Sequence, residues 1–316
     1  SELFNPWFDI RIEIDNKSIT HRPDLWCHEG FAREISALFG RKLSDPVDYA
    51  LEKTFENSQT LNVTIDNGEA APRYCGLYVK NITIAPSPDW LKARVTAIGM
   101  RPISNIVDIT NYVMAEIGEP MHAFDRKKLR GDTIFVRLAR DSEPLTTLDG
   151  QKHVLTSEDI VIADAGGSIA LAGVMGGGES EIDDTTNEIV LEAANFNPIN
   201  IRRTAGRYNL RTEAAIRFEK SLDPELCPRA ILRCYQLIKA LIPDAQAVTP
   251  IIDAYPKKAQ KISIATNYPF IRRKLGKDLP DGDIRKILES LRFTITETAS
   301  GISIDVPSYR ATKDIS

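Results

Sequence analysis

The sequence is poor in the residue types that mark metal, redox and secreted proteins. Its 316 residues include four cysteines, four histidines, four methionines and three tryptophans. Cys27, Cys75, Cys227 and Cys234 form no C-x-x-C pair and share no metal-like spacing with the histidines, which excludes a zinc ribbon or a thioredoxin-type centre. Cys227 and Cys234 fall on an expected helix and read as buried free thiols, so the expected compartment is reducing and cytoplasmic. No apolar run reaches the roughly 18 residues of a membrane helix. The opening SELFNPWFDI has neither the basic nor the apolar stretch of a signal peptide, and none is expected. The fingerprints G-x-x-x-x-G-K-[ST], strand–G-x-G-x-x-G–helix, H-E-x-x-H and G-x-S-x-G are missing, which sets aside active sites of those kinds. A surplus of positive charge is missing as well: 40 basic against 44 acidic side chains leave a net charge of −4. Nucleic-acid binding by bulk charge is excluded, and any such contact must rest on a local patch.

What is present is a globular composition, 42% hydrophobic and 27% charged, at a length that favours two to three domains. Because the chain opens on Ser1 and stops at Asp314-Ile315-Ser316 on an approach from strand to helix, it is expected to be a piece of a longer polypeptide. Phe8, Ile10, Ile12 and Ile14 alternate with polar residues and predict a strand over 8–14. A turn at 20–24 precedes a helix over 28–39, with Phe31, Ile35 and Leu38 on one face and Gly40 as its stop. Residues 42–60, polar and carrying Pro46, read as a linker.

From 61 to 242 strands and helices are interspersed without a regular βαβ period, which predicts the α+β class. Strands are expected over 61–65 and 75–84. A helix follows with Ser87 as N-cap, Pro88 in its first turn and Gly99 as its end. A second helix runs from near Pro102 to Gly118. Hairpins are expected at Asp149-Gly150 and Gly166-Gly167, then a strand over 188–193 and helices over 197–208 and 224–241. The proline-punctuated stretch 243–258 reads as a second linker. Beyond it, strand 262–265, helices 268–275 and 281–291, and a hairpin over 293–306 predict a small α+β unit.

Three local features carry chemistry. His122 follows a helix stop within the proline-stiffened Gly118-Glu119-Pro120-Met121-His122. Such a position either presents an imidazole to a cleft or simply bonds nearby backbone. Residues 170–178 hold Gly173, Gly176, Gly177 and Gly178, which suit either backbone N–H binding of an ester oxygen or a bulged hairpin. Glu192 sits in the apolar run Val190-Leu191-Glu192-Ala193-Ala194, where a carboxylate is costly unless partnered or turned to solvent. The acidic residues Glu179, Glu181, Asp183 and Asp184 read as a solvated loop. Arg203, Arg207 and Arg211, spaced i, i+4, i+8 with Arg202 alongside, form a phosphate-gripping ridge if the stretch is helical, or pair internally with Glu213 or Glu219.

Taken together, the segments resemble the β subunit of bacterial-type phenylalanyl-tRNA synthetase. The resemblance is carried by His21-Arg22-Pro23-Asp24 with Gly30-Phe31-Ala32-Arg33-Glu34, by RPISNIVDITNYVMAEIGEPMHAFD (101–125), LAGVMGG (171–177), LEAANF (191–196), RTEAAIRFEKSLDP (211–224) and VPSYRATKDI (306–315). It runs in order over nearly the whole chain. It departs at His21, where the family usually has asparagine, outside the editing motifs. The resemblance implies that 1–46 is the tail of the first β-subunit domain, 61–242 the editing module and 261–316 the truncated start of the next small α+β domain. It implies hydrolytic editing of tRNA(Phe) mischarged with tyrosine. Glu192 would read the tyrosine hydroxyl, and His122 would stand at the scissile ester as general base or water orienter. Thr110, Asn111, Ala172, Gly173, Thr212 and Ala214 would line the pocket. Arg202, Arg203, Arg207 and Arg211 are the candidate tRNA contacts, and tRNA(Phe) and the α subunit of a heterotetramer the implied partners, with no membrane. In this family the phenylalanine-activating site is on the α subunit, so Mg²⁺ and ATP belong to the intact enzyme and no cofactor is expected here. Asp314 matches the first of a carboxylate set that holds Mg²⁺, and one carboxylate is not a site. The rival expectation is a tRNA-binding and subunit-scaffolding segment without chemistry of its own.

Overall fold

In the computed structural model, which describes residues 10–311, the expected strand over 8–14 is not formed in the described part. Ile10, Ile12 and Ile14 stand exposed, and no described strand pairs with them. Alternation alone makes no strand without a neighbouring strand to pair with. Phe8 lies outside the described residues.

The turn at Arg22-Pro23-Asp24 is held by charge. Arg22 donates to the two Asp24 oxygens at 2.8 and 2.9 Å, and Arg33 reaches Asp24 at 3.2 Å. Helix α1 (His28–Phe39) follows and ends at Gly40, φ 60°. Its first turn needs Gly30, because a Cβ there would lie 1.8 Å from the Asp24 carbonyl oxygen. Glu29 extends the ion cluster to Arg229 at 2.6 Å.

The central unit runs β1 (Asn62–Ile65), β2 (Arg73–Lys80), α2 (Asp89–Ala97) and α3 (Asn105–Ile117). Ser87 is not the expected cap of α2. Pro88 holds that position, and Ser87 Oγ donates to the buried Asp108 at 2.6 Å. Past Gly118, φ 93°, the chain enters β3 (Met121–Asp125), so His122 stands on a strand rather than in the expected turn. Then come β4 (Thr133–Leu138), the hairpin β5 (Pro144–Thr146) and β6 (Lys152–Val154), β7 (Ile160–Asp164), β8 (Gly167–Leu171), β9 (Met175–Gly176) and β10 (Glu188–Asn195). Helices α4 (Pro198–Tyr208), α5 (Glu213–Phe218) and α6 (Leu226–Leu241) follow.

The stretch 243–258, expected as a linker, supplies β11 (Gln246–Ala247) and β12 (Ile252–Ala254), both antiparallel to β2. Strands of two and three residues between prolines carry too little periodicity to be read. The C-terminal unit comprises β13 (Ser263–Thr266), α7 (Tyr268–Leu275), α8 (Asp281–Ser290), β14 (Thr294–Thr298), β15 (Gly301–Asp305) and α9 (Ser308–Ala311), with sheet order β13-β15-β14. It is tied to the rest by Ser308, which donates to Asp223 at 2.7 Å, and by Tyr309, whose ring lies 3.7 Å from the Arg33 guanidinium.

The architecture is mixed α+β, as expected. One central sheet is ordered β1-β4-β7-β8-β9 and the other β11-β2-β10-β3, with β12 also on β2. The second is covered on both faces. Cys75, Leu77, Val79, Ile189, Leu191 and Ala193 meet α2, α3 and α6, while Tyr74, Tyr78, Phe124, Val190 and Ala194 meet Ile134, Ile162 and Leu171 of the first sheet. Among the described residues no helix is long and apolar enough to cross a membrane.

Between α3 and β3, Glu119 is fully buried; its Oε1 receives the Cys227 thiol at 3.7 Å, and Oε2 has no hydrogen-bond partner among the described residues. Burial pushes this carboxyl well above the usual range. From about pH 4.3 up to its raised pKa, the folded protein keeps a proton that the unfolded chain has released, so stability falls as pH rises through that window. Glu119→Gln, which is never charged, is expected to unfold at higher temperature than the wild type at pH 8 and to lose that advantage near pH 4. Thermal unfolding at the two pH values checks this.

Candidate active site

Strand β10 is central in its sheet, and its register determines what surrounds Glu192. On one side Glu192 lies opposite Gly76 of β2, and on the other opposite His122 of β3. The two-residue period sends Leu191 and Ala193 to the helices and Glu192 to the space between the sheets, together with Val190 and Ala194. The solvent-facing alternative for Glu192 is thereby excluded: it is 8% exposed. Its Oε2 accepts from the Tyr74 hydroxyl at 2.9 Å. Burial pushes the Glu192 carboxyl up to about 7, and the Tyr74 hydrogen bond pulls the other way. That leaves it close to half ionised at neutral pH.

His122 is only half-buried as a residue, yet its Nε2 is sealed from solvent and has no hydrogen-bond partner among the described residues. The ring sits edge-on to Phe124 with centroids 4.5 Å apart. Burial lowers its pKa to about 4, so at neutral pH the imidazole is uncharged and keeps one nitrogen lone pair. A neutral imidazole and a half-ionised carboxyl, cross-strand neighbours on one sheet face, can orient a water and read a polar group.

The glycine-rich loop comes close to this pair. A Cβ on Gly176 would lie 2.8 Å from His122 Cε1 and 3.0 Å from Leu148 Cδ1, so the bare backbone of β9 packs directly on the imidazole. Gly173, φ 66°, faces apolar rings instead of open space: a Cβ there would meet Phe196 at 2.8 Å and Phe218 at 2.9 Å. The N–H groups of Ala172, Val174 and Gly177 are spent on the carbonyls of Ile160, Leu171 and Ile169. Thr212 caps α5 and donates to the Val174 carbonyl at 2.8 Å, and Ala214 packs on the same inter-sheet core. Thr110 and Asn111 lie on α3, which covers the other face of the sheet, and the Thr110 hydroxyl donates to Val107 O at 2.7 Å. Among the described residues no hydrogen bond joins these two to His122 or Glu192.

The arginine ridge takes a different form from the one the spacing suggests. Helix α4 ends at Tyr208, with Asn209 at φ 55°, so Arg211 is off the helix. Arg207 is paired with the buried Asp159 and, at 2.6 Å, with Glu158. Asp159 also receives Thr204 and Tyr208, each at 2.7 Å. Internal pairing therefore occurs, through Glu158 and Asp159, while Glu213 pairs with Arg217. Arg202 and Arg203 remain exposed on α4, Arg203 lying 3.9 Å from Glu158.

Tyr74 escapes a reading by motif, and the glycine-rich motif that holds Gly176 does not carry its contact with His122. The alternation of Tyr74, Gly76 and Tyr78 along one strand face is the signal that would have found the first. Two clefts of about 980 and 800 Å³ lie elsewhere, one between residues 10–13 and α2–α3, the other between the central and C-terminal units. Among the described residues no group of three His, Cys, Asp or Glu side chains is placed to hold a metal ion, and Asp314 lies outside them.

Two family models match the chain, the B3/4 domain over residues 70–243 and the tRNA synthetase B5 domain over residues 264–316. The chain is similar to the phenylalanine–tRNA ligase beta subunit of Solibacter usitatus, 46% identical over 309 residues, covering 98% of this chain and 40% of that one. It is likewise similar to that of Carboxydothermus hydrogenoformans, 42% identical over 305 residues, covering 96% and 37%. It thus spans about two fifths of the length of the curated relatives it matches. A crystal structure of an N-terminal fragment of the phenylalanyl-tRNA synthetase beta-subunit from Pyrococcus horikoshii aligns over 93% of this chain and 80% of that one, at 15% identity and a TM-score of 0.43, too distant to argue from. The resemblance read from the motifs is borne out by the family matches and the relatives.

Two substitutions test this geometry. Gly176→Ala forces its new methyl against His122 and is expected to cost about 1–3 kcal/mol by overpacking; chemical denaturation measures the cost, and a moved His122 ring resonance confirms its cause. Asp159→Asn weakens the buried charged acceptor shared by Thr204, Arg207 and Tyr208 and is expected to cost about 1–3 kcal/mol in the same denaturation experiment.

Proposed function

Because the chain belongs to the B3/4 domain family, we propose that residues 61–242 are the editing module of a phenylalanyl-tRNA synthetase β subunit and hydrolyse tyrosine from mischarged tRNA(Phe). A synthetic pocket built for phenylalanine rejects an added hydroxyl by only about 10²-fold, so a second site must recognise that hydroxyl. The observation that supports this reading is the cross-strand pair of Glu192 and His122, a buried carboxyl held through one oxygen by Tyr74 opposite a neutral imidazole. The carboxylate accepts a hydrogen bond from the phenol of the misplaced tyrosine. Water, oriented by His122 or deprotonated by it, adds to the ester carbonyl. The bond to the ribose oxygen breaks, that oxygen takes the proton, and free tyrosine and uncharged tRNA leave. No covalent nucleophile is required; positioning supplies the rate.

On this reading residues 1–46 close the preceding β-subunit domain and residues 261–316 open the next. The partners are tRNA(Phe) and the α subunit, and the compartment is cytoplasmic. Mg²⁺ and ATP serve the intact enzyme in activating phenylalanine, and no step above passes through them. Arg202 and Arg203, exposed on α4, are the arginines best placed for phosphate.

The test is deacylation by the assembled synthetase containing this chain. Tyrosyl-tRNA(Phe) is expected to be cleaved and phenylalanyl-tRNA(Phe) spared. His122→Ala should slow tyrosine release by about 10²-fold or more, the usual weight of a positioned acid–base group. Glu192→Ala should lower kcat/KM by about 10- to 100-fold, the weight of one charge-assisted hydrogen bond. Since Glu192 ionises near 7 and His122 near 4, kcat/KM should rise through neutral pH and show no His122 step above pH 6. Equal survival of both esters, with tRNA retained on a filter, would sink the editing reading in favour of a scaffold.

A further inference from the structure

We propose that Tyr74 is a positioning residue for amino-acid specificity, holding Glu192 by one oxygen so that the other can accept only from a hydroxyl on the bound side chain. The proposal rests on the editing reading above and adds to it a residue outside the motifs that carry the family resemblance.

Tyr74 is completely buried on β2, two residues from Gly76, on the face that meets Glu192. Its hydroxyl has one proton, and that proton goes to Glu192 Oε2 at 2.9 Å. No hydrogen bond from the described residues reaches Oε1. An ionised carboxylate accepts through both oxygens, and leaving one unmet once a bound side chain has shut water away from it is expensive. A tyrosine substrate supplies the missing donor, so the carboxylate ends between two phenols, one from the protein and one from the ligand. A phenylalanine substrate supplies nothing and leaves Oε1 stranded, so rejection comes from an unpaired group rather than from a clash.

The surroundings leave this division of labour to Tyr74. The titratable groups around Glu192 are Tyr74 on β2, His122 on β3 and Glu119 just before β3, and His122 is neutral at physiological pH. The elements packed over this face add uncharged groups, Val63 of β1 beside Gly76 and Gly176 of β9 beside His122. Among the described residues no cation reaches this carboxylate, and the Tyr74 hydroxyl is its donor. It both steers the side chain and favours the ionised form that accepts. Removing it frees the carboxyl to turn and makes it harder to ionise.

The experiment compares wild type, Tyr74→Phe and Glu192→Ala in the full-length synthetase, measuring deacylation of tyrosyl- and phenylalanyl-tRNA(Phe) from pH 5.5 to 9. Tyr74→Phe is expected to lower the tyrosyl-to-phenylalanyl ratio of kcat/KM by about 10-fold, the weight of one hydrogen bond to a charged group, and to move the pH midpoint upward. A ratio and a midpoint that stay at wild-type values, while Glu192→Ala loses selectivity, overturn the role of Tyr74 and leave the editing reading intact. A wild type that spares both esters overturns the editing reading itself. A merely structural Tyr74 would lower both rates together with an unmoved midpoint, which also overturns the proposal. Should Tyr74→Phe fail to fold, the wild type answers through its ¹³C-labelled Glu192 carboxyl at pH 6.5. Ionisation on adding L-tyrosine but not L-phenylalanine supports the bridged carboxylate, and a carboxyl that stays protonated with tyrosine bound refutes it.

Discussion

The antiparallel pairing of β10 with β2 on one side and β3 on the other is the constraint on which the rest depends. A strand in that position has no free edge, and with helices on one face and a second sheet on the other it has no wet face. Any ionisable side chain on it must find a partner or give up its charge. Glu192 does some of each. Tyr74 gives it one hydrogen bond, burial lifts it to about 7, and its second oxygen has no donor among the described residues. The register that makes this possible also delivers His122 and Gly76 to the same place, so three strands converge on the site without any loop having to be held in position.

The second sheet is what encloses the site. Strand β9 brings the backbone of Gly176 against His122, close enough that only a glycine leaves the imidazole where it is. Thr212 then ties the start of α5 to the loop through the Val174 carbonyl. The loop's N–H groups are largely used in holding its own hairpin, so it acts as a wall of the site more than as an anion cradle. The polar chemistry belongs to Tyr74, His122 and Glu192, and the shape belongs to the glycines.

Charge outside the site serves assembly of the fold. Asp24 and Asp159 are buried acceptors that gather arginines and hydroxyls: Asp24 locks the first turn onto α1, and Asp159 locks α4 against the strands. Arg33 joins the first of these clusters to the C-terminal unit through Tyr309. An acidic protein can therefore carry many arginines and leave few of them free for phosphate, which is why spacing along α4 overstated the ridge.

Periodicity and capping in the chain determined most of the elements: α1, α3, α4 and α7 begin and end close to where apolar spacing and glycine stops put them, because helices are written in local contacts. The order of motifs likewise determined the family. What local pattern does not carry is pairing. The strand at His122 reads as a turn until β10 is beside it, and β11 and β12 read as linker until β2 captures them. Residues 8–14 read as a strand although no described strand pairs with residues 10–14. Whether Glu192 faces water or protein, which oxygen of it is held, and whether Arg207 is free are decided by groups more than forty residues away in the chain. Only the folded packing brings those groups together.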